Sequence, residues 1–304
     1  MTPIVTTVDA GGLVLRVEAA TADDAALVRR VIGSAHPSGA PHASLTLGPE
    51  SPPVPSRRPD FEGPYGDHWD DGTTHWFSHH WGLAARVTAD EAVLGGPAAG
   101  YERWVAVRNS MLFVLARLLL AQDRFLLHGA AVRRGEDALL VVGDSGTGKS
   151  SLAYAAHLAG WNVLGDDMVA VDDDAGALHV RGIPRVPSVP GDVASDAQGD
   201  RLPHDARARL ELPDFELDGR PAAIAAVLIC RHDDGDGRLV PATATEAVEA
   251  LVPAFVLSAL PHPVTRWFPL ATRLARRRAF WLAHAADERQ RLARAAQLLD
   301  AAAR

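Results

Sequence analysis

One stretch of this 304-residue sequence carries residue types suited to handling phosphate. Gly143-Asp144-Ser145-Gly146-Thr147-Gly148-Lys149-Ser150 has the spacing G-x-x-x-x-G-K-S, and Ser151 follows it. Glycines at that spacing let successive backbone N–H groups turn inward onto phosphate oxygens. A helix opening at Ser150 adds the partial positive charge of its N-terminus. Lys149 supplies a compact ammonium for the β- and γ-phosphates, and Ser150 a hydroxyl for Mg²⁺. At average composition a chain of this length meets the spacing by chance about once in a hundred. Lys149 is also the only lysine: the other 29 of the 30 basic residues are arginines. An ammonium stands at the one place where a broad guanidinium fork would not fit a ring of backbone donors.

Downstream, Gly165-Asp166-Asp167 follows Trp161 to Leu164, which reads as a strand. Paired carboxylates beyond such a loop have two roles in phosphoryl transfer. One holds Mg²⁺, and the other accepts the proton of the attacking hydroxyl. The nearby run Asp172-Asp173-Asp174 is expected to be a solvated hairpin turn. Upstream, His128-Gly129 precedes the strands that lead into the glycine loop. Taken alone, a histidine there is more often a satisfied core or surface residue than a chemical one.

The elements that must position these residues are legible as patterns. Leu139 to Val142 reads as a buried strand running into the loop, and Ser150 to Ala159 as the helix leaving it, with Gly160 at its C-cap. Val169–Val171 and Leu178–Val180 should pair through the turn at 172–176. Ala222 to Cys230 is another buried strand. Residues 183–220 read as an irregular surface segment, and the tail from Ala244 to Ala302 as mostly helical. Before residue 123, strands are expected around Leu13–Val17, at Ala43–Leu47 and over Thr73–Val87. Helices are expected at Ala22–Ile32 and Gly100–Ala121, and a loop over 49–73. The fold class is α/β with a mixed sheet. Residues 1–122 form a β-rich region ending in a long amphipathic helix, with acceptor recognition as its expected role, and residues 123–304 form the nucleotide domain.

These pieces in this order resemble the HPr kinase/phosphorylase family and its HPr-kinase-like relatives, whose nucleotide fold is related to that of phosphoenolpyruvate carboxykinase. The matching residues are Leu127 to Val132, Leu140 to Ser151, Gly160 to Asp167 and Val180 to Ile183. The resemblance implies an ATP- and Mg²⁺-dependent serine-type kinase. Gly143 to Ser151 would bind the nucleotide, with Ser150 and Asp166 on the metal and Asp167 as base. His128 would orient or tune the carboxylates, and Arg181 would stabilise developing charge. Ser151 replaces the glutamate of the bifunctional members, and His179 the usual acidic residue. Arg185, in Ile183-Pro-Arg-Val, follows the style of the relatives found beside peptide natural-product genes. The expected acceptor is therefore a hydroxyl of a peptide, a protein or a small amino-acid-like molecule.

Composition narrows the rest. A net charge of −8 provides no basic field for nucleic acid. Cys230 is the only cysteine, so no intramolecular disulfide forms. No basic-then-apolar leader opens the sequence, and the run Met111–Ala121 is too short to span a bilayer, so a cytoplasmic protein is expected. The segment Asp67 to Trp81 holds His68, His75, His79 and three tryptophans; it reads as an aromatic strand and loop rather than a metal site. Arg273, Arg276, Arg277 and Arg278 read as a solvated helix face. The sequence allows a homo-oligomer. Two further readings stand behind the kinase: an ATP-gated binding module without significant transfer, and a carboxykinase-like enzyme of small molecules, ranked last because no second lysine is present for an extra metal site.

Overall fold

A computed structural model describes residues 2–33, 37, 39–185, 188–190, 200–201, 209–211, 217–232, 238–260, 264–284 and 288–303. The chain forms two compact units, Met1–Leu126 and Leu127–Arg304. The fold is mixed α/β, with mixed sheets.

The first unit opens with β1 (Ile4–Ala10) and β2 (Leu13–Ala19), an antiparallel pair. Helix α1 (Ala22–Ile32) starts where the Thr21 hydroxyl accepts the Asp24 N–H, with Asp23 and Asp24 at its positive end. It carries the chain to β3 (Ala43–Gly48), parallel to β2. Strands β4 (Phe61–Glu62), β5 (Gly66–Asp70), β6 (His75–His79), β7 (Leu83–Val87) and β8 (Glu91–Gly95) form an antiparallel meander that returns beside β3. The expected loop over 49–73 thus holds β4 and β5. The run is short and polar because this end of the sheet is its edge. Helix α2 (Gly100–Ala121) packs on β6, β7 and β8. It is long and apolar enough to cross a membrane, beyond what Met111–Ala121 alone suggested, yet 67% of its apolar window is buried inside the protein. Its apolarity is that of a core helix.

Strand β9 (Arg124–His128) spans the boundary between the units, and in the second unit β10 (Ala130–Arg134) and β11 (Asp137–Val142) lead to helix α3 (Lys149–Leu158). Helix α3 ends in a Schellman motif: Gly160 N–H donates to the His157 carbonyl and Trp161 N–H to that of Ala156, each at 2.9 Å. Strands β12 (Asn162–Gly165), β13 (Met168–Asp174) and β14 (Ala177–Gly182) follow. Within 183–220 the described pieces include β15 (Ser188–Pro190), β16 (Asp200–Arg201) and β17 (Arg209–Glu211), a small antiparallel sheet; the rest of that expected irregular segment lies largely outside the described residues. Then come β18 (Ala222–His232), β19 (Arg238–Pro241), α4 (Ala244–Leu251), α5 (Val264–Ala275), β20 (Arg278–His284) and α6 (Glu288–Ala303). Strand β11 is parallel to β18, and β18 to β20. The tail is therefore not purely helical. Arg-Ala-Phe-Trp-Leu-Ala-His alternates and carries aromatics, a strand signal inside a run of helix-forming residues. Accordingly Arg273 lies on α5, Arg276 and Arg277 in the following turn, and Arg278 at the head of β20.

One backbone crossing fixes the second unit's geometry near the Asp-Asp pair. A Cβ placed on Gly182, at the end of β14, would lie 1.5 Å from the Leu164 carbonyl oxygen of β12. Backbone meets backbone there, so neither side can yield. Gly182→Ala is expected to destabilise the protein by about 2 kcal/mol or more in urea unfolding. Gly219→Ala, where nothing lies within 4 Å, should change stability by less than about 0.5 kcal/mol. Equal midpoints for the two variants would contradict the crossing.

The first unit makes a second prediction. His68 is enclosed by the rings of Phe61, Phe77 and Phe113, and burial, helped by Arg117, pushes its pKa down to about 4. Its folded value lies below its unfolded one, so the stability it permits is complete above about pH 6.5 and is lost as pH falls toward 4. The loss over that window should be on the order of 3 kcal/mol. His68→Phe should flatten the pH dependence of unfolding in that window.

Candidate nucleotide site

The glycine loop joins β11 to α3. Gly143 has φ 141°, and a Cβ on it would lie 2.4 Å from the Cys230 carbonyl oxygen, so the loop's first residue is pressed against β18. No side chain fits between them. Gly146 and Gly148 also have positive φ, 88° and 94°. The Thr147 hydroxyl donates to the Asp144 carbonyl at 2.8 Å, closing the loop on itself. Helix α3 begins with no side-chain cap and no acidic residue in its first turn. Its positive end therefore faces the loop without a compensating anion of its own.

Lys149, only 6% exposed, sits within this loop and donates through Nζ to the carbonyls of Gly143 (2.8 Å) and Asp144 (2.9 Å). Burial lowers its pKa, and the charges of Asp167, Asp144 and Asp166 oppose that shift. Cys230 opposes it only as a thiolate. Burial raises its thiol to about 12, so it is neutral at neutral pH and adds nothing there. The Asp-Asp pair and the loop lysine thus lie within electrostatic reach of one another.

Asp166 and Asp167 occupy the turn between β12 and β13. Asp166 is 6% exposed. The Asp167 carbonyl accepts the Gly129 N–H at 3.1 Å, which ties the β9–β10 corner to the pair. His128 Nδ1 lies 3.3 Å from Asp167 Oδ1, and the Arg185 guanidinium donates to Oδ2. An imidazole and a guanidinium therefore bracket the Asp167 carboxylate. The loop residues, Lys149, Asp166, Asp167 and His128 come together in this region of the second unit.

Arg181 is placed differently. Its Nε donates to Asp172 Oδ2 at 3.1 Å, and His179 Nδ1 lies 3.6 Å from Oδ1 of the same carboxylate. The Asp172–Asp174 run is strand rather than turn, and only part of it is solvated: Asp173 and Asp174 are exposed and Asp172 is buried. It lies in β13, Asp172 is only 9% exposed, and Asp173 pairs with Arg273. The turn itself is Ala175-Gly176, both at positive φ (50° and 94°).

The arginine on Asp167 is Arg185, to which sequence reasoning gave no role. The hairpin register could have found it. Val169 is opposite Gly182 at the end of the ladder, so the residues just beyond β14 emerge beside the turn that carries Asp166 and Asp167. Among the described residues no group of three or more His, Cys, Asp or Glu side chains could hold a metal. In the first unit His75 lies 3.1 Å from Asp70 Oδ2, and His79 lies 3.4 Å from the Asn109 side chain.

The burial of Cys230 against the loop gives a direct check. In the folded protein at pH 8 its thiol should not react with Ellman's reagent over an hour, and in denaturant one equivalent should react at once. Rapid labelling of the folded protein would place Cys230 outside the strand core.

No protein-family model and no curated protein matches the chain. Among solved structures it is similar to the HPr(Ser) kinase/phosphatase from Coxiella burnetii, at 17% identity and a TM-score of 0.23, over 34% of this chain and 58% of that one. The chain thus spans little more than half the length of that structure.

Proposed function

We propose that the chain is an ATP-dependent kinase that transfers the γ-phosphoryl group to a hydroxyl of a peptide, a protein or a small amino-acid-like molecule. The observation that carries this reading is the convergence of a buried ammonium, a helix N-terminus and an Asp-Asp pair. Loop N–H groups and the first turn of α3 suit the phosphates. Lys149 would exchange its two carbonyl partners for β- and γ-oxygens. Ser150 and Asp166 would contribute two oxygens to Mg²⁺. That is a fitting protein share for an ion that keeps waters and phosphate oxygens as its other ligands. Bound there, the ion would neutralise charge on the transferred group.

In the transfer, the acceptor oxygen bonds to the γ-phosphorus, the bond to the β–γ bridging oxygen breaks, and ADP leaves with that electron pair. The hydroxyl proton passes to Asp167, which His128 orients. One observation favours a second reading, an ATP-gated binding module: Oδ2 of Asp167 is held by Arg185.

The test uses γ-labelled ATP with Mg²⁺ and serine- and threonine-bearing peptides, alongside calorimetric nucleotide binding. Lys149→Ala should abolish binding. Asp167→Asn should bind within a few-fold of wild type and transfer label roughly 100-fold slower or less. Full activity of Asp167→Asn would remove it as base. Tight ATP binding with no label on peptide or water would favour the gated module.

A further inference from the structure

We propose that Arg185 senses the terminal phosphate: it docks on Asp167 while the nucleotide is absent and moves onto the γ-phosphate when ATP binds. The inference rests on the nucleotide reading above and adds the residue that distinguishes ATP from ADP.

Three observations support it. The first is anchorage. Strand β14 ends at Gly182, Ile183 N–H reaches the Met168 carbonyl at 3.4 Å, and Arg185 N–H donates to the Ile183 carbonyl at 2.7 Å. That last bond closes a three-residue turn centred on Pro184, whose ring already restricts φ. The backbone of Arg185 is fixed beside the Asp-Asp pair, while its side chain keeps several rotatable bonds.

The second is the contact itself. Among the described residues, the Arg185 contact on Asp167 runs from the NH1 nitrogen to Oδ2. A guanidinium prefers a two-pronged fit, and a phosphate offers it. Both partners are partly exposed, 16% for Arg185 and 25% for Asp167, so exchange needs no opening of the core.

The third is charge. Asp167 acts electrostatically on Lys149, so a triphosphate held by Lys149 brings its terminal anion into the neighbourhood of the Asp167–Arg185 pair. The carboxylate and the phosphate then compete for one guanidinium, and the more highly charged anion wins. Oδ2 is released at the moment a transferable phosphoryl group is present. ADP lacks that group and leaves the pair in place. The same contact that favoured a gated module becomes a gate on the base of the kinase.

The experiment is a double-mutant cycle read by calorimetry with AMP-PNP and with ADP, both with Mg²⁺, on wild type, Arg185→Met, Asp167→Asn and the double variant. Arg185→Met should weaken AMP-PNP by about tenfold or more and ADP by less than about twofold. Asp167→Asn should tighten AMP-PNP relative to ADP when Arg185 is present, and that selective gain should vanish in the double variant. Arg185→Lys, which keeps charge but loses the fork, should fall between wild type and Arg185→Met in its AMP-PNP affinity. Retained ADP binding reports that a variant is folded. Equal losses for the two nucleotides, no loss, or a gain from Asp167→Asn that ignores Arg185 would overturn the sensor. If wild type binds neither nucleotide, or Lys149→Ala leaves ADP binding intact, the nucleotide reading fails, and the sensor with it.

Discussion

The second unit depends on the burial of one ammonium at the positive end of a helix. Lys149 is taken from water beside the N-terminus of α3, where the helix dipole repels it. Two carbonyls of its own loop hold the group, and three aspartates lower its energy from further off. Those carbonyls are weak partners for a full charge. The arrangement is therefore poised for an anion. A phosphate at the same place would satisfy the ammonium and the helix end together, and the loop's bent backbone would present its N–H groups to it.

The sheet is built so that this point exists. Parallel β11 and β18 run side by side, and the chain leaves β11 through Gly143 at contact distance from the Cys230 carbonyl. That contact sets where the loop begins. On the far side of β18, the β13–β14 hairpin reaches back beneath β12 through Gly182, and the Asp-Asp turn lies where the two meet. The Gly129 N–H to the Asp167 carbonyl fixes the turn from a third direction. Position here comes from backbone meeting backbone. Such contacts are stiffer than any side-chain packing, because the backbone has no rotamers through which to yield.

The parts that were legible in the sequence share a cause. The loop spacing, the helix after it, α1 and α2 each announce themselves over a short window through periodicity or glycine placement. What escaped depends on pairing between distant segments. Strand β20 reads as helix until β18 supplies a parallel partner about fifty residues earlier in sequence. Strands β4 and β5 are too short and polar to stand out without β6. The Asp172–Asp174 run looks like a turn by composition. It extends the strand because Arg181 meets Asp172 and Arg273 meets Asp173, while the chain turns only at Ala175-Gly176.

The two arginines after the Asp-Asp strand sharpen that lesson. Arg181 and Arg185 are four residues apart, chemically identical, and each ends on an aspartate that a histidine also touches. Composition cannot separate them. The hairpin can: Arg181, opposite Ala170, reaches diagonally to Asp172 on the same ladder, while Arg185 lies past the end of β14 and meets Asp167. A cation held between two strands in a ladder is costly to move, since its departure would strip a largely buried carboxylate of its guanidinium partner. A cation on a turn, paired with a partly exposed carboxylate, retains the freedom to choose between anions. Which aspartate each arginine meets is thus drawn by a hairpin whose register is set at the Ala175-Gly176 turn, five residues before Arg181 and nine before Arg185.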